Sequence, residues 1–228
     1  MKKVYFILVL MINLSLGNAQ IYEIGVFGGG SNFIGDVGST KFIAPNEIAI
    51  GGLIRWNRSP RHSYRASVIY TTMFADDNLS SDPRREQRGY YFSAKTLEIS
   101  TGIEFTFLDF NLHSGDFIFT PYIYTGISML SHRNFYYVNN TFILGKSNSN
   151  AFGIPIALGA KFTLTEHLIF GMEIAARYTF SDEIDGSLPD SEELNSLKFG
   201  NINNNDWYVF SGFTLTYTFG RNPCFCIY

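Results

Sequence analysis

Ser131 and His132 come nearest to a catalytic pair, since a serine hydroxyl beside an imidazole can act as a nucleophile activated by a base. Adjacent residues of a β-strand point to opposite faces, however, so these side chains cannot meet directly in an extended segment. The glycine run 28–30, followed by Gly35 and Gly38, lacks the Gly-x-Gly-x-x-Gly spacing of a phosphate-binding loop. We therefore expect no enzymatic activity and no cofactor.

Metal ligands show no recognisable spacing either. The histidines are single and scattered, without the short ligand spacings of a zinc site: His62, His113, His132 and His167. An acidic segment could offer oxygen ligands to calcium, but its spacing is not that of a calcium loop: Asp182, Glu183, Asp185, Asp190, Glu192 and Glu193. We expect no metal site and interpret this segment as a solvated loop.

Eight charged residues fall within otherwise apolar segments, always on the polar side of an alternating pattern. They are four acids and four bases: Glu23, Glu98, Glu104 and Glu173, with Arg55, Arg65, Lys161 and Arg177. Burying such charges singly would cost several kcal/mol each, so pairing is close to obligatory. The interior of a small barrel is only wide enough for side chains to fill it. We therefore predict a lumen plugged by a charge network, with a narrow ion path as the alternative.

The elements that carry these charges alternate large apolar with small polar residues, which is typical of strands in a membrane barrel. Short and long connections also alternate, as in outer-membrane barrels with tight periplasmic turns and long outer loops. We predict strands near residues 21–30, 47–57, 63–74, 96–108, 117–130, 151–164, 168–180 and 207–220. The fold class is therefore all-β, an eight-stranded antiparallel transmembrane β-barrel of outer-membrane type over residues 20–220, with both termini in the periplasm.

Two alternatives to this architecture stay open. Segments 135–138 and 141–144 could add two strands, but each is shorter than the about 9–11 residues of a tilted spanning strand, so we expect a hairpin above the membrane. A soluble β-sandwich also alternates, but its strands are usually about five or six residues long. Aromatic residues near strand ends, such as Trp56, Tyr178 and Phe219, favour the interfacial girdles of a membrane barrel.

The N-terminus predicts export. Lys2 and Lys3 precede the apolar run 4–16, and small residues at 17 and 19 suit signal-peptide cleavage after Ala19. Only 16% of residues are charged, against about 25% in an ordinary soluble domain, and the net charge of −3 indicates no nucleic-acid partner. We predict a signal peptide at 1–19, one barrel domain, and residence in outer-membrane lipid of a Gram-negative bacterium.

Both cysteines lie in the tail 221–228, which follows the last strand. Thiols tend to pair in an oxidising periplasm. Residues two apart in an extended segment are about 6.5 to 7 Å apart, so a bond between Cys224 and Cys226 needs a local turn. An intermolecular disulfide to a partner protein, this internal bond, and free or metal-bound thiols all stay open.

Two segments resemble a known family. The stretches EIGVFGGGSNFIGDVG at 23–38 and WYVFSGFTLTYTFGRNPC at 207–224 are similar to the PorG family of outer-membrane barrels in the type IX secretion system. The second stretch also looks like the C-terminal signal read by the barrel-assembly machinery. The long loops add nothing to the resemblance.

The resemblance implies a non-enzymatic subunit that anchors a periplasmic ring to the outer membrane. The implied partners are a ring-forming lipoprotein and a second periplasmic ring protein, while cargo would leave through a separate, larger barrel. The positions implied to face these partners lie in the tail: Arg221, Pro223, Cys224, Phe225 and Cys226. The alternative is a stand-alone barrel of OmpA-like or OmpW-like type that binds a surface ligand or a small hydrophobic molecule.

Overall fold

The chain forms eight strands that are joined edge to edge in a closed barrel. The computed structural model describes residues 21–112, 117–138, 141–187, 196–200 and 205–220. The strands are β1 (Ile21–Ile34), β2 (Glu47–Asn57), β3 (His62–Asp76), β4 (Tyr91–Thr106), β5 (Phe119–Val138), β6 (Thr141–Thr163), β7 (Leu168–Thr179) and β8 (Trp207–Gly220). Each strand pairs antiparallel with the next, and β8 pairs with β1. The predicted eight-stranded antiparallel barrel is confirmed.

The alternating pattern separates a lipid-facing surface from a filled interior. In β4, Leu97, Ile99 and Ile103 point outward with 41–49% of their surface exposed, whereas Glu98 and Glu104 point inward and are buried. The same alternation runs along β2 and β3. A closed barrel satisfies all of its backbone hydrogen bonds between strands, and an apolar outer face is what a bilayer requires of it. The fold is therefore that of an outer-membrane-type barrel.

The strands β5 and β6 continue beyond the barrel wall as a two-stranded hairpin. The pairing of β4 with β5 ends at His132, and that of β7 with β6 ends at Gly153. Beyond these residues β5 and β6 pair only with each other, with a bulge between Arg133 and Phe135. The expected hairpin is confirmed as an extension beyond the barrel wall, because the extra segments lengthen two strands instead of adding two.

The connections divide the barrel into two ends. The short-turn end carries turns 58–61, 107–118 and 164–167, together with the paired residues Ile21 and Gly220. The long-loop end carries the β5–β6 hairpin, loop 1 (35–46), loop 2 (77–90) and loop 4 (180–206). Loop 2 contains a 3₁₀ turn (Asp77–Leu79) and a short helix, α1 (Pro83–Arg88). The predicted signal peptide and tail lie outside the described residues.

Helices contribute little else to the described part of the chain. No helix found there is long and apolar enough to cross a membrane. The helix α1 has six residues, begins after the capping side chain of Asp82 and ends at Gly89, which has a positive φ of 66°. A residue without a Cβ adopts this left-handed conformation at little cost, so Gly89 terminates the helix and returns the chain to β4.

Candidate functional site: a filled lumen and its cap

The structure places all eight predicted lumen charges inside the barrel, where each is at most 3% exposed. Six of them form a group towards the short-turn end: Glu23, Arg55, Arg65, Glu104, Lys161 and Glu173. Glu98 and Arg177 form a separate pair nearer the middle of the strands. Three acids face three bases in the first group and one faces one in the second. Each group is therefore neutral by itself.

Glu104 is the centre of the larger group. Its Oε2 accepts a hydrogen bond from Arg55 Nε at 2.9 Å, and its Oε1 accepts one from Lys161 Nζ at 2.7 Å. Arg65 Nη1 lies 3.9 Å from Oε2. Because these bases stand on β2, β3 and β6, the carboxylate on β4 connects side chains from several parts of the wall. Such cross-lumen bonds fix the barrel interior.

The remaining members of this group are also held by several bonds each. Arg55 Nη1 donates to Glu23 Oε2 at 3.0 Å. Arg65 donates through Nη1 and Nη2 to the two oxygens of Glu173, at 2.6 and 2.8 Å. The Tyr122 hydroxyl donates to Glu173 Oε2 at 2.6 Å. Bidentate pairing with an added hydroxyl donor is the arrangement that compensates the desolvation of buried charges.

The second group is a bidentate pair with an aromatic support. Arg177 Nε and Nη2 each lie 3.0 Å from an oxygen of Glu98, and the Tyr208 hydroxyl donates to Glu98 Oε2 at 2.6 Å. Arg177 Nη1 donates to the carbonyl of Ala175 at 2.7 Å. The guanidinium carbon lies 4.6 Å from the centre of the Phe210 ring, a cation–π distance. The pair therefore links β4, β7 and β8.

An apolar layer fills the lumen around the pair of Glu98 and Arg177 and continues towards the long-loop end, and sequence reasoning missed it. Buried members of this layer include Phe27, Leu53, Ile69, Leu130 and Phe210. They share the inward parity of the charges: Phe27 stands four residues after Glu23, and Leu53 two before Arg55. That shared parity was the available signal, because inward residues need not be polar where they pack against one another.

The long loops cover the barrel mouth and are tied to one another. Asp77 of loop 2 accepts bonds from Arg88 Nε at 2.8 Å and from the Gly38 amide of loop 1 at 2.8 Å. Tyr90 stacks on Tyr137 of the hairpin, with ring centres 4.3 Å apart. Both rings contact Phe199 of loop 4. These contacts define a cap made of loops 1, 2 and 4 and the hairpin.

The acidic part of loop 4 is buried in this cap, so the interpretation of that segment as solvated is wrong for two residues. Asp182 is 7% exposed and Asp185 is fully buried. Asp185 Oδ2 accepts the Asp36 amide of loop 1 at 2.8 Å, and its Oδ1 accepts the Ser187 amide at 3.0 Å. The segment 180–187 of loop 4 folds inward because the Asp185 side chain satisfies backbone donors of the cap. Asp190, Glu192 and Glu193 lie outside the described residues.

A turn covers the lumen at the opposite end. Phe110, in turn 107–118, is 6% exposed, and its amide donates to the carbonyl of Pro60 at 3.0 Å. The Lys161 ammonium lies 4.7 Å from the centre of the Phe110 ring. The Phe110 ring thus covers Lys161 at the short-turn end. The filling extends from this ring to the cap.

The candidate catalytic and metal residues that the structure describes do not assemble into a site. Ser131 and His132 stand on opposite faces of β5, where His132 is buried and Ser131 is half-buried. The described residues hold no group of three or more histidine, cysteine or acidic side chains that could bind a metal ion. His113 lies outside the described residues, as do all the predicted partner-facing positions of the tail: Arg221, Pro223, Cys224, Phe225 and Cys226.

Comparison with solved structures gives small barrels of low sequence identity. Ail of Yersinia pestis, in complex with the heparin analogue sucrose octasulfate, is 10% identical, with 88% of this chain and 99% of that one covered and a TM-score of 0.49. The outer membrane protein OprG from Pseudomonas aeruginosa is 12% identical, with coverage of 89% and 97% and a TM-score of 0.45. A major outer membrane protein from Thermus thermophilus is 13% identical, with coverage of 88% and 100% and a TM-score of 0.46.

Sequence comparison identifies a family. No curated protein matches the chain. The profile of a family described as a domain of unknown function, DUF6089, matches residues 2–228, which is nearly the whole sequence. The chain therefore belongs to the DUF6089 family.

Proposed function

We propose that the protein is a non-enzymatic outer-membrane subunit of the type IX secretion apparatus that anchors the periplasmic ring complex to the membrane. Its short-turn end and both termini face the periplasm, and its long loops face outward. Its partners are the ring-forming lipoprotein and the periplasmic ring protein, which it contacts through the tail 221–228. Cargo crosses the outer membrane through a separate, larger barrel.

The filled lumen is the observation that carries this proposal. Charged groups and an apolar layer fill the interior, the cap closes the long-loop end, and Phe110 covers the short-turn end. A barrel of eight strands has no spare interior once its side chains fill it. The filled lumen therefore disfavours transport through this barrel and favours an anchoring role in the membrane.

The position of the two family-like segments adds support. The segment at 23–38 contains most of β1, and the segment at 207–224 contains β8. These strands are paired along their length, from Ile21 with Gly220 to Ile34 with Trp207. The resemblance therefore falls on one continuous seam of the barrel, which leads directly into the tail.

Co-purification from native membranes tests the proposal. We expect the tagged full-length protein to bring down both ring proteins. A variant that ends at Gly220 should lose them while it keeps the gel shift between boiled and unboiled samples that marks a folded barrel. Purification of the full-length barrel alone would contradict the anchoring role and favour the stand-alone alternative. Retention of both partners by the truncated variant would instead exclude the tail as their contact.

A second experiment addresses the cysteines. We compare the protein with a variant that carries Cys224→Ser and Cys226→Ser by running membranes on non-reducing gels. A covalent link predicts a ring-lipoprotein band that shifts in the wild type and not in the variant. An unchanged band would exclude the intermolecular disulfide and leave a non-covalent contact of the tail.

A further inference from the structure

Four aspartates from two loops lie together inside the cap. Asp36 comes from loop 1, and Asp182, Asp185 and Asp206 come from loop 4; they are 9%, 7%, 0% and 0% exposed. Asp185 Oδ2 accepts the Asp36 amide, and Asp206 Oδ2 accepts the amide of Ile184 at 3.0 Å. Asp185 therefore fastens loop 4 to loop 1, and Asp206 fastens two parts of loop 4 to each other; together with Asp182 beside them, these carboxyl groups are called the joint.

The carboxyl oxygens of this joint have no bonded positive charge among the residues that the structure describes. Within the described chain, no basic side chain bonds to the carboxyl oxygens of Asp182, Asp185 or Asp206. Oδ2 of Asp182 and Oδ1 of Asp206 are buried and have no hydrogen-bond partner. A protonated carboxyl is neutral and can donate one hydrogen bond. An ionised carboxyl at this position is a buried charge without a bonded counterion, which is costly.

The other ionisable groups around the joint do not supply the missing countercharge. Arg88 of loop 2 faces Asp185, but its guanidinium is already bonded to Asp77. Tyr137 of the hairpin faces both Asp185 and Asp77 as a neutral phenol, and Glu183 of loop 4 adds a further acid. Among the described residues, the surroundings of the aspartates are thus acidic or neutral apart from two guanidiniums. That of Arg88 is shared between Asp77 and the carbonyl of Asp36, and that of Arg85 donates to the carbonyls of Gly35 and Gly38.

Burial and mutual repulsion both raise the pKa of these carboxyls. Burial, with the charges of Asp185, Asp36 and Glu183, raises the pKa of Asp182 to about 7. Burial also raises the pKa of Asp185, and burial with the nearby aspartates raises that of Asp206 well above its usual range. These groups hold protons in the closed cap at pH values where an exposed aspartate, with a pKa of about 3.9, has lost its proton.

We propose that Asp182, Asp185 and Asp206 form a proton-binding latch that holds the described parts of loop 4 in the cap and releases them when the carboxyls ionise. The closed cap binds more protons than the open one, so the closed state weakens as the pH rises. For Asp182 this weakening starts near the pKa of an exposed aspartate and is complete above about pH 7. In that window each retained proton changes the opening equilibrium about tenfold per pH unit. The latch does not depend on the proposed anchoring role.

A tryptophan next to the latch reports its state. Trp207 follows Asp206 directly, and its ring lies 6.1 Å from that of Phe42 in loop 1. The chain has 2 tryptophans, so Trp56→Phe leaves Trp207 as the only one. In the full-length barrel in lipid nanodiscs, we expect acrylamide quenching of Trp207 to increase several-fold from pH 5 to pH 9. Infrared difference spectra over the same range should show a protonated-carboxyl band that disappears.

Matched variants separate proton binding from a general loosening of the loops. Asp206→Asn keeps an acceptor for the Ile184 amide, so loop 4 should stay closed, with a weaker pH response and a smaller carboxyl band. Asp109→Asn, at the exposed short-turn end, should behave as the unmodified barrel. Flat quenching in the parent, or an unchanged response in Asp206→Asn, would overturn the latch. So would a response that follows added calcium or chelator at constant pH, because a metal ion would then replace the proton.

Discussion

The buried pair of Arg177 and Glu98 allows a direct test of how the lumen is stabilised. The change is Arg177→Met, Glu98→Gln, or both in one chain. Arg177→Met leaves the Glu98 carboxylate buried with the Tyr208 hydroxyl as its main remaining donor. Glu98→Gln leaves an uncompensated guanidinium but preserves an acceptor for Tyr208. Each single change therefore isolates one buried charge.

The magnitude follows from the burial of the pair. Both side chains are 1% exposed, so solvent does not compensate a lost partner. Breaking such a pair from one side should lower the free energy of unfolding by about 3–5 kcal/mol, whereas removing both charges should change it by only about 1 kcal/mol. The surface pair of Arg61 and Asp109, with side chains 50% and 66% exposed, supplies the control. Its removal should cost at most about 1 kcal/mol.

Urea unfolding of the barrel in lipid vesicles measures these differences, with the gel shift of unboiled samples as the folded fraction. The double-mutant cycle should give a coupling energy of at least about 3 kcal/mol for the buried pair and near zero for the surface pair. A coupling below about 1 kcal/mol for Arg177 and Glu98 would show that water or another group compensates the single charges, and the account of a dry, neutral lumen would be refuted.

Three further outcomes follow from the same structure. Gly102→Ala places a Cβ against the backbone of β5 and should cost about 1–3 kcal/mol in the urea assay, whereas Gly28→Ala meets nothing within 4 Å and should be neutral or slightly stabilising. Arg88→Met removes the bonds to Asp77, so amide hydrogen exchange should increase in loops 1 and 2 and stay unchanged in β7. The wild-type barrel should show no steady conductance in planar bilayers, and a stable open level would contradict the filled lumen.

The transmembrane part of the fold could be predicted because the side-chain period of a strand is two. Once one face must contact lipid, a charge such as Glu104 can only point inward, and each inward charge fixes the facing of its whole strand. The partners of each charge could not be predicted. Glu104 bonds to Arg55 and Lys161 because of the barrel stagger. The stagger depends on the register between strands, which the sequence of one strand does not reveal.

The parts above the membrane were harder to predict for a different reason. There, β1 continues to Ile34 and β4 begins at Tyr91, several residues beyond the predicted bounds. Phe33 and Phe92 extend these strands because they pack against each other inside the cap, with ring centres 5.2 Å apart. The burial of Asp185 has the same origin, since it depends on an amide of loop 1 that is distant in sequence.

The division of the lumen into separately neutral groups has a consequence for function. An ion that crossed the barrel would have to displace the six-charge group and then the pair of Glu98 and Arg177 together with the apolar layer packed around it. Cross-lumen bonds hold each charged group, so no single rotamer change opens a path. The cap differs, because its loop 4 is held by carboxyls that can lose protons. Changes of state should therefore occur at the cap, while the strands below it stay fixed.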